Sequence, residues 1–416
     1  DVATDNAVSN DINNEFRRIA EGGWTAINNP MDQWRNAFAA IQHINTFLSI
    51  VDSVQWVDDP VTSRMFANRM RGEALALRGL FMYHLLQRHA GPGSDGQLLG
   101  VPIILEPLTP TSDFNLPRAT FEECMRQLYA DLDSAIAILP RDYGDIANAN
   151  QIPVRYEQVT ENIAKYNRVY GPWFRGRISA RIAMAIRAKA ALLAASPAFN
   201  PTGDQELWAT AANYAAQVLT LPGSPGATMQ RTGITWYSNR GELTGLAEGN
   251  NPAEILWRGS IETSNALEQQ HFPPSLFGNG RVNPTRNLVE AFPMTNGYPI
   301  DHPLSGFDPS RPYTNRDMRL GHYIIVNNSV AGPANTTILT GADVTTVDGL
   351  NREGGRSTRT GYYMRKLIRQ DINVNPASLT TQRRYQPHIR WTEIHLIYAE
   401  RSEEHTSELQ SRHNLV

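Results

Sequence analysis

Aromatic side chains in polar loops are the residues of this chain best suited to chemistry at a surface. Trp24 lies in the stretch Glu-Gly-Gly-Trp-Thr, Trp173 follows a Gly-Pro pair, and Trp236 and Tyr237 lie among Thr, Ser and Asn. A ring beside polar groups offers an apolar face with polar edges, which is the surface that a sugar ring fits. The candidate ligand-binding residues are Trp24, Tyr166, Tyr170, Trp173, Trp236, Tyr237, Asn239 and Arg240.

Sugar binding by such loops would combine two interactions. The CH groups of a sugar face would stack on the rings, and Asn, Asp and Arg neighbours would form hydrogen bonds with the hydroxyl groups. A site of this kind is expected to be shallow, wet and of modest affinity, because ordered waters must be displaced or shared. The alternative for each ring is that it anchors its loop inside the protein, since large aromatic side chains are highly buried on average.

No local motif indicates catalysis or metal binding. The sequence contains no P-loop, no Gly-x-Gly-x-x-Gly opening a helix, no Gly-x-Ser-x-Gly and no His-Glu-x-x-His. His84 and His89 are five residues apart on a predicted helix, whereas two ligands on one helical face need a spacing of four. Asp131 and Asp133 point in different directions, so we interpret them as solvent-exposed rather than as an acid–base pair. We predict no catalytic residue, no metal site and no cofactor.

Composition limits the classes of protein to which the chain can belong. Of its 416 residues 41% are hydrophobic, which is enough for a sizeable core, and the net charge of −3 gives no electrostatic case for nucleic acid as a partner. Cys124 is the single cysteine, which excludes an internal disulfide, a multi-cysteine zinc site and an iron–sulfur cluster. We expect it to be a small buried hydrophobe, because it lies near the apolar stripe of a predicted helix. No run approaches the ~20 apolar residues that span a bilayer.

The first half of the chain has the periodicity of helices. Apolar residues recur every three or four positions over residues 34–48 and 66–85, and Arg78 lies largely off the second stripe. Residues 141–176 are predicted to be rich in loops. These patterns predict a body of α-helices.

Two further features of the first half define helix ends and packing. Thr120 and Glu123 have the spacing of a capping box at the start of a third helix. An alanine-rich helix from Ile178 to Ala195 is predicted to be buried between neighbours. With a further helix over about residues 204–221 it resembles a tetratricopeptide hairpin.

The second half changes character, because Asn, Gly, Pro and Thr clusters interrupt short apolar runs. Residues 253–257 and 323–326 are predicted strands, residues 285–292 form a predicted short helix, and a last helix is expected to start near Pro387. The predicted fold class is mainly α: tetratricopeptide-like helical hairpins form an α/α scaffold, and an irregular, loop-rich second half contains short strands.

The sequence divides into three predicted parts. Residues 1–222 form a helical N-terminal part, and residues 223–400 form a loop-rich C-terminal part packed on it as one structural unit. Residues 401–416, with the run Arg-Ser-Glu-Glu-His-Thr-Ser-Glu-Leu-Gln-Ser, match the translation of a common sequencing adapter. We therefore expect this tail to be non-native and the natural protein to continue beyond Glu400.

Several blocks, taken in order, resemble the SusD/RagB family of outer-membrane nutrient-binding lipoproteins. Those of the first half are Arg71–Tyr83, Gly100–Ile104, Leu116–Thr120 with Asp131, Leu132, Leu139 and Pro140, and Gly176–Ile178. Those of the second half are Asn251–Leu256, Pro284–Phe292 with Asn296 and Gly297, Asn315–Leu320, Thr360–Lys366 and Ile389–Glu400. Each block is weak alone, but their shared order over nearly all of residues 1–400 identifies the chain as a member.

This resemblance implies a function at the cell surface. The family captures oligosaccharides or other nutrients and acts as a lid on a SusC-like TonB-dependent outer-membrane transporter, without bond chemistry. It is held at the outer membrane by a lipid anchor, although the signal peptide and the anchor cysteine are not in the given chain. The shared motifs lie on the scaffold and the ligand contacts lie in variable loops, so the candidate residues above come from loop aromatics alone.

Two other classes of function remain open. An all-α glycoside hydrolase would need two carboxylates facing each other across an aromatic cleft, ~5 to 9 Å apart. A tetratricopeptide-type adaptor would bind peptides in a concave helical groove. The ligand itself, glycan or peptide, is not given by the sequence.

Overall fold

The computed structural model of the chain describes residues 1–25, 27–157, 159–226, 228–229 and 231–400. The segment 401–416, which we predict to be non-native, lies outside the described residues. Helices predominate in the described part and its strands are short, so the predicted mainly α fold is confirmed.

Most of the longer helices lie in the first half of the chain. The helices are α1 (Glu15–Ala20), α2 (Trp34–Ile50), α3 (Pro60–His89), α4 (Phe121–Ile138), α5 (Val154–Glu157), α6 (Ile163–Tyr170), α7 (Ala180–Ala195), α8 (Gln205–Thr220), α9 (Arg240–Thr244), α10 (Ala266–His271), α11 (Arg286–Ala291), α12 (Met318–Tyr323) and α13 (391–400). The strands are β1 (Ala7–Ser9), β2 (Gly91–Pro92), β3 (Leu98–Leu99), β4 (Ile255–Ser264), β5 (Val282–Pro284), β6 (Ile324–Ile325), β7 (Ser329–Ala331), β8 (Thr336–Ile338), β9 (Tyr363–Met364) and β10 (Gln382–Arg390).

The chain divides into two compact units, each discontinuous in sequence. Among the described residues, the helical unit comprises those of 31–230, 247–259 and 387–400, and the loop unit comprises those of 1–30, 231–246 and 260–386. The division at residue 222 that the sequence pattern suggests stays a prediction.

The core of the helical unit is formed by α3, α4, α7 and α8, with α2 packed on α3. The alanines of α7 are buried on several sides of the helix: Ala180, Ala183, Ala185, Ala188, Ala190, Ala191, Ala194 and Ala195. Because alanine side chains are small, α4 and α8 can both approach α7 closely. The predicted burial of this helix is therefore confirmed.

Two glycines allow α3 to approach α4. A Cβ atom on Gly79 would lie 2.9 Å from Cγ of Leu132, and one on Gly72 would lie 2.8 Å from Cγ of Leu139. The two glycines are seven residues apart and therefore lie on the same face of α3. Any larger side chain at either position would push the two helices apart.

A buried ion pair crosses the same contact between α3 and α4. Nε of Arg78 donates to Oδ2 of Asp131 at 2.7 Å, and a second nitrogen donates to Oδ1 at 2.6 Å. A third donates to Asn45 of α2 at 2.9 Å. Both charged side chains are buried. The interpretation of Asp131 as solvent-exposed is therefore wrong, because it was drawn without its partner, which lies 53 residues away in sequence.

The start of α4 has the predicted capping box. The Thr120 hydroxyl accepts the Glu123 N–H at 3.1 Å, and the Glu123 carboxylate accepts the Thr120 N–H at 2.8 Å. One residue further, Cys124 is buried, and its thiol donates to the Val101 carbonyl at 3.2 Å. Burial raises the pKa of this thiol, which keeps it protonated and unreactive.

The last part of the described chain differs from the prediction. The segment after Pro387 is not yet helical, because β10 runs to Arg390 and pairs with β4. The Trp391 N–H then donates to the Glu254 carbonyl at 2.9 Å, and helix α13 begins there. Periodicity alone could not distinguish this strand from the first turn of a helix.

Short strand pairs and buried charges hold the loop unit together. β1 pairs with β5, β6 with β9 and β7 with β8, all antiparallel. Glu268 is fully buried and accepts hydrogen bonds from Arg384 at 2.7 and 2.9 Å and from the Arg369 N–H at 2.8 Å. Contacts of this kind satisfy buried polar groups that are not paired within a long helix or sheet.

The Arg78–Asp131 pair should be essential for stability. Replacing Asp131 by Asn removes the negative charge and leaves a buried guanidinium uncompensated, so we expect the free energy of unfolding to fall by about 3 kcal/mol. Chemical denaturation measures this change. Glu122→Gln on the same helix is the matched control, because Glu122 forms an exposed pair with Arg126 and should contribute little. Equal small effects of both substitutions would contradict the assignment.

His84 on α3 should make stability depend on pH. Burial, together with the charge of Arg88, lowers its pKa to about 4 from the ordinary 6.5. The unfolded chain therefore binds the proton more tightly, and stability is lost as pH falls from about 6.5 towards about 4. Between pH 7 and pH 5 this residue should account for a loss of about 2 kcal/mol.

Chemical denaturation at the two pH values tests this expectation. In His84→Gln the loss between pH 7 and pH 5 should be smaller than in the wild type by about 2 kcal/mol. His43→Gln, at an exposed histidine of α2, is the matched control. An unaltered pH dependence in His84→Gln would show that this histidine is not the group responsible.

Candidate functional site

The candidate residue Trp173 lies on a tight turn that joins α6 to α7. Gly171 ends α6 at a point where a Cβ would clash with the Asn167 carbonyl oxygen, so only glycine fits. Pro172 starts a short 3-10 helix, Pro172–Phe174, and the Arg175 N–H donates to the Pro172 carbonyl at 3.2 Å. We call residues 171–177 the Trp173 turn.

Phe174 anchors this turn and leaves Trp173 outside. The Phe174 ring packs edge-to-face against Phe66 and Tyr143, with ring centroids 6.4 and 6.3 Å apart. The guanidinium of Arg69 lies 3.7 Å from its centroid. The indole of Trp173 is 93% exposed. Because consecutive residues of a one-turn helix point in different directions, burying one ring exposes the other.

Polar side chains tie the turn to its surroundings. Nε of Arg175 donates to the Tyr143 carbonyl at 3.2 Å, and another of its nitrogens donates to the Asn250 side chain at 2.8 Å. Arg177 donates to the buried carboxylate of Glu73 at 2.9 Å. Hydrogen bonds from its C-terminal residues therefore fix the position of the turn.

Two open clefts of the helical unit are both lined by Asp142 and Tyr143, and we call them the Asp142 clefts; residues of the turn line the smaller of the two. The smaller encloses about 240 Å³ and is also lined by Arg175, Arg177, Arg181 and Asn250. The larger encloses about 560 Å³ and is also lined by Arg141, Asp145, Gln151 and Arg155. The exposed indole therefore has concave, hydrogen-bonding surface close to it in sequence.

Tyr166 and Tyr170 are buried rather than exposed. They lie on α6, a helix within the segment predicted to be rich in loops, and pack with Tyr156 at ring centroid distances of 4.9 to 5.8 Å. Burial raises the pKa of both hydroxyls, so they stay protonated. Tyr166 also lines the larger cleft. Neither ring presents an open face, so their part is to support the turn.

The other candidates lie in the loop unit. Trp236 and Tyr237 are buried, with the Tyr237 hydroxyl donating to the His322 carbonyl at 3.2 Å, and they anchor their loop as the alternative interpretation allowed. Asn239 is partly buried at the start of α9, and Arg240 is exposed. Trp24 is 52% exposed. Of the candidate rings, those of Trp24 and Trp173 are therefore the ones with free surface.

The described residues show neither a metal site nor a membrane span. No group of three or more His, Cys, Asp or Glu side chains among them could hold a metal ion. None of the described helices combines the length and the apolar character needed to cross a bilayer.

Two family profiles match the sequence. A SusD-like profile, described as starch-binding and associating with the outer membrane, matches residues 1–153. The profile of the SusD family matches residues 255–407. The chain belongs to the SusD/RagB family. A comparison with curated proteins found no match.

Solved structures of SusD-like proteins share the fold. A SusD-like protein from Bacteroides fragilis is 19% identical with a TM-score of 0.67, over 97% of this chain and 71% of its own. A SusD-like carbohydrate-binding protein from the same species is 21% identical with a TM-score of 0.63, over 96% and 66%. A laminarin-binding SusD-like protein is 15% identical with a TM-score of 0.55, over 96% and 73%. The chain thus spans about two thirds to three quarters of these proteins.

One block of the SusD/RagB resemblance is hydrogen-bonded to the Trp173 turn. Glu73 and Arg78 both belong to the block Arg71–Tyr83. Glu73 accepts hydrogen bonds from Tyr143 at 2.9 Å and from Arg177, whereas Arg78 joins α3 to α4. The sequence did not reveal Phe174, Asp142 or Asn250 as parts of the site. For Phe174, the Trp-Phe pair that follows Gly-Pro in the sequence was an available signal.

Stability measurements test whether Phe174 anchors the turn and Trp173 does not. Phe174→Ala should lower the free energy of unfolding by about 2 kcal/mol, because it removes the ring packed against Phe66, Tyr143 and Arg69. Trp173→Ala should change it by less than about 0.5 kcal/mol, since the indole is exposed. Chemical denaturation measures both. A larger loss in Trp173→Ala than in Phe174→Ala would mean that the indole is the anchor.

Proposed function

We propose that this protein binds oligosaccharides at the Trp173 turn and the Asp142 clefts, and delivers them to a SusC-like TonB-dependent transporter at the outer membrane. The observation that carries the proposal is a 93% exposed indole on a turn fixed by its neighbours. A large apolar ring is left in water at a cost, and a fixed position allows it to bind without first being ordered.

Binding would use both the ring and the polar groups near it. The CH groups of a sugar face stack on the indole of Trp173, and Arg177, Asn250 and other polar groups of the clefts form hydrogen bonds with hydroxyls. Because the clefts are open, bridging waters remain in the complex and the affinity stays modest.

The family relationship supports both parts of the proposal. Its profiles are those of SusD proteins, one of them described as starch-binding and associating with the outer membrane. Relatives of the same fold include a carbohydrate-binding and a laminarin-binding protein. Delivery to the transporter and anchoring through a lipid rest on the family alone.

Binding without catalysis is the function we favour over glycoside hydrolysis. Both carboxylate oxygens of Asp142 accept hydrogen bonds from Arg181, at 2.7 Å each. A general acid must instead have a carboxyl oxygen free to reach the glycosidic oxygen, whereas both oxygens here are bonded to Arg181. Asp142 is therefore suited to orienting neighbouring arginines rather than to protonating a glycosidic oxygen.

A binding experiment with two tryptophan variants tests the site. The wild type is screened against a glycan array that includes starch and laminarin oligosaccharides, and the strongest ligand is titrated by calorimetry. Trp173→Ala should weaken binding roughly tenfold or more, because an aromatic anchor at the centre of an interface commonly contributes that much. Trp24→Ala should leave the affinity unchanged.

Two results would count against the proposal. A loss of binding in Trp24→Ala but not in Trp173→Ala would move the site to the loop unit. Cleavage of the ligand during incubation, detected by mass spectrometry, would favour the hydrolase alternative.

A further inference from the structure

Positive charge exceeds negative charge around the Trp173 turn. Five guanidinium groups, from two helices and the segments between them, lie here with two carboxylates; four of them contact a carboxylate and the fifth donates to the Tyr143 carbonyl. The arginines are Arg69, Arg141, Arg175, Arg177 and Arg181, and the carboxylates are Glu73 and Asp142. We call these seven residues the arginine cluster. Arginine is common in this chain, whereas carboxylates are few around these five arginines.

Each carboxylate of the cluster is already shared between two arginines. Glu73 lies 3.4 Å from Arg69 and 2.9 Å from Arg177. Asp142 lies 2.7 Å from Arg181 and 3.2 Å from Arg141. Two negative charges therefore face four positive ones.

Arg175 adds a fifth positive charge, because its partners are neutral. It donates to the Tyr143 carbonyl and to the Asn250 amide oxygen. The arginine cluster thus carries three positive charges beyond those that its own carboxylates neutralise.

The other charged groups of this region do not remove the excess. Glu248, two residues from Asn250, lies 3.6 Å from Arg258. Asp145 lines the larger cleft, and a Cβ atom on Gly171 would lie 2.9 Å from its Oδ1, so this carboxylate faces the turn and offsets one of the three charges. Glu248 is accompanied by an arginine outside the cluster, and an excess of two positive charges therefore remains around the turn.

The smaller cleft has the donors and the size for an acidic substituent. Arg175, Arg177 and Arg181 all line it, and the Arg177 side chain is 51% exposed with one described hydrogen bond, to Glu73. A guanidinium has five N–H donors in a planar fork that matches carboxylate or sulfate oxygens. A volume of about 240 Å³ is smaller than that of a typical ligand pocket but accommodates one charged group.

We propose that the ligand of this site is an acidic glycan, whose sugar face stacks on Trp173 and whose carboxylate or sulfate group enters the smaller Asp142 cleft between Arg175 and Arg177. This inference deepens the proposed function and rests on it. Both kinds of acidic glycan carry an oxyanion on a sugar ring. Matched glycan pairs distinguish a carboxylate from a sulfate.

Matched pairs of glycans test the proposal with the full chain. Galacturonan oligosaccharides are compared as the free acid and as the methyl ester, which removes only the carboxylate charge. Carrageenan oligosaccharides are compared before and after desulfation, which removes only the sulfate. In one pair the charged form should bind at least tenfold more tightly, and raising the salt concentration from 50 to 500 mM should weaken that form alone.

Arginine variants then locate the effect. Arg177→Gln and Arg175→Gln should each abolish most of the preference for the charged form while neutral binding persists, and Arg177→Lys should retain part of it because the charge remains. Arg126→Gln, which removes an exposed arginine on α4, is the matched control and should change nothing. Thermal unfolding of Arg177→Gln checks that the protein stays folded when Glu73 keeps only Arg69 and Tyr143 as partners. Arg175→Gln does not change the contacts of Glu73 and serves as the second variant.

The outcomes separate the two proposals. Equal binding of charged and neutral forms, or loss of the preference in Arg126→Gln, overturns the acidic-ligand inference. Binding of neutral glycans that depends on Trp173 and is as tight as the binding of their charged forms overturns the inference while the proposed function stands. Failure of every glycan, charged or neutral, to bind overturns both.

Discussion

A single buried carboxylate, Glu73 on α3, holds the candidate site to the helical scaffold. It accepts a hydrogen bond from the Tyr143 hydroxyl at 2.9 Å and one from Arg177 at 2.9 Å, and it lies 3.4 Å from Arg69. A buried charge without partners is strongly destabilising, so these contacts must persist in the folded state. The pKa of Tyr143 is raised by burial and by the nearby negative charge of Glu73, which keeps its hydroxyl as the donor.

The same network explains how a large aromatic side chain can stay in water. Arg69 contacts Glu73 and also covers the Phe174 ring, so the residue next to Trp173 is fixed by charge as well as by packing. A turn that is fixed in this way does not need to be ordered when a ligand arrives, which lowers the entropic cost of binding. The scaffold therefore determines the position of the indole, and the indole determines where a sugar can stack.

Local signals made much of the fold predictable. The capping box of α4 and the alanine-rich α7 depend on residues close in sequence, and both are present. The Arg78–Asp131 pair joins residues 53 positions apart, and β10 forms only because β4 lies beside it. Neither partner can be identified from the local pattern of the other, so these features were missed or assigned to another class.

The candidate site was also predictable only in part from the sequence. Composition identified the aromatic loops but could not distinguish an anchoring ring from an exposed one, because both occur in polar loops. Tyr170 and Trp236 are buried, at 1% and 4% exposure, and Trp173 is not. The difference arises from packing partners in other elements, such as Tyr156 beside Tyr170 and Tyr385 beside Trp236. Sequence therefore suggested the chemistry of the site, and packing decided which ring is available for it.

Titration of the indole N–H resonances with a bound oligosaccharide, by nuclear magnetic resonance, tests the central claim most directly. The chain has eight tryptophans, and each contributes one indole signal. The account predicts that the Trp173 signal shifts on adding ligand, while the signals of the buried Trp208 and Trp236 stay in place. An unchanged Trp173 signal at saturation, with shifts at another tryptophan, would contradict it.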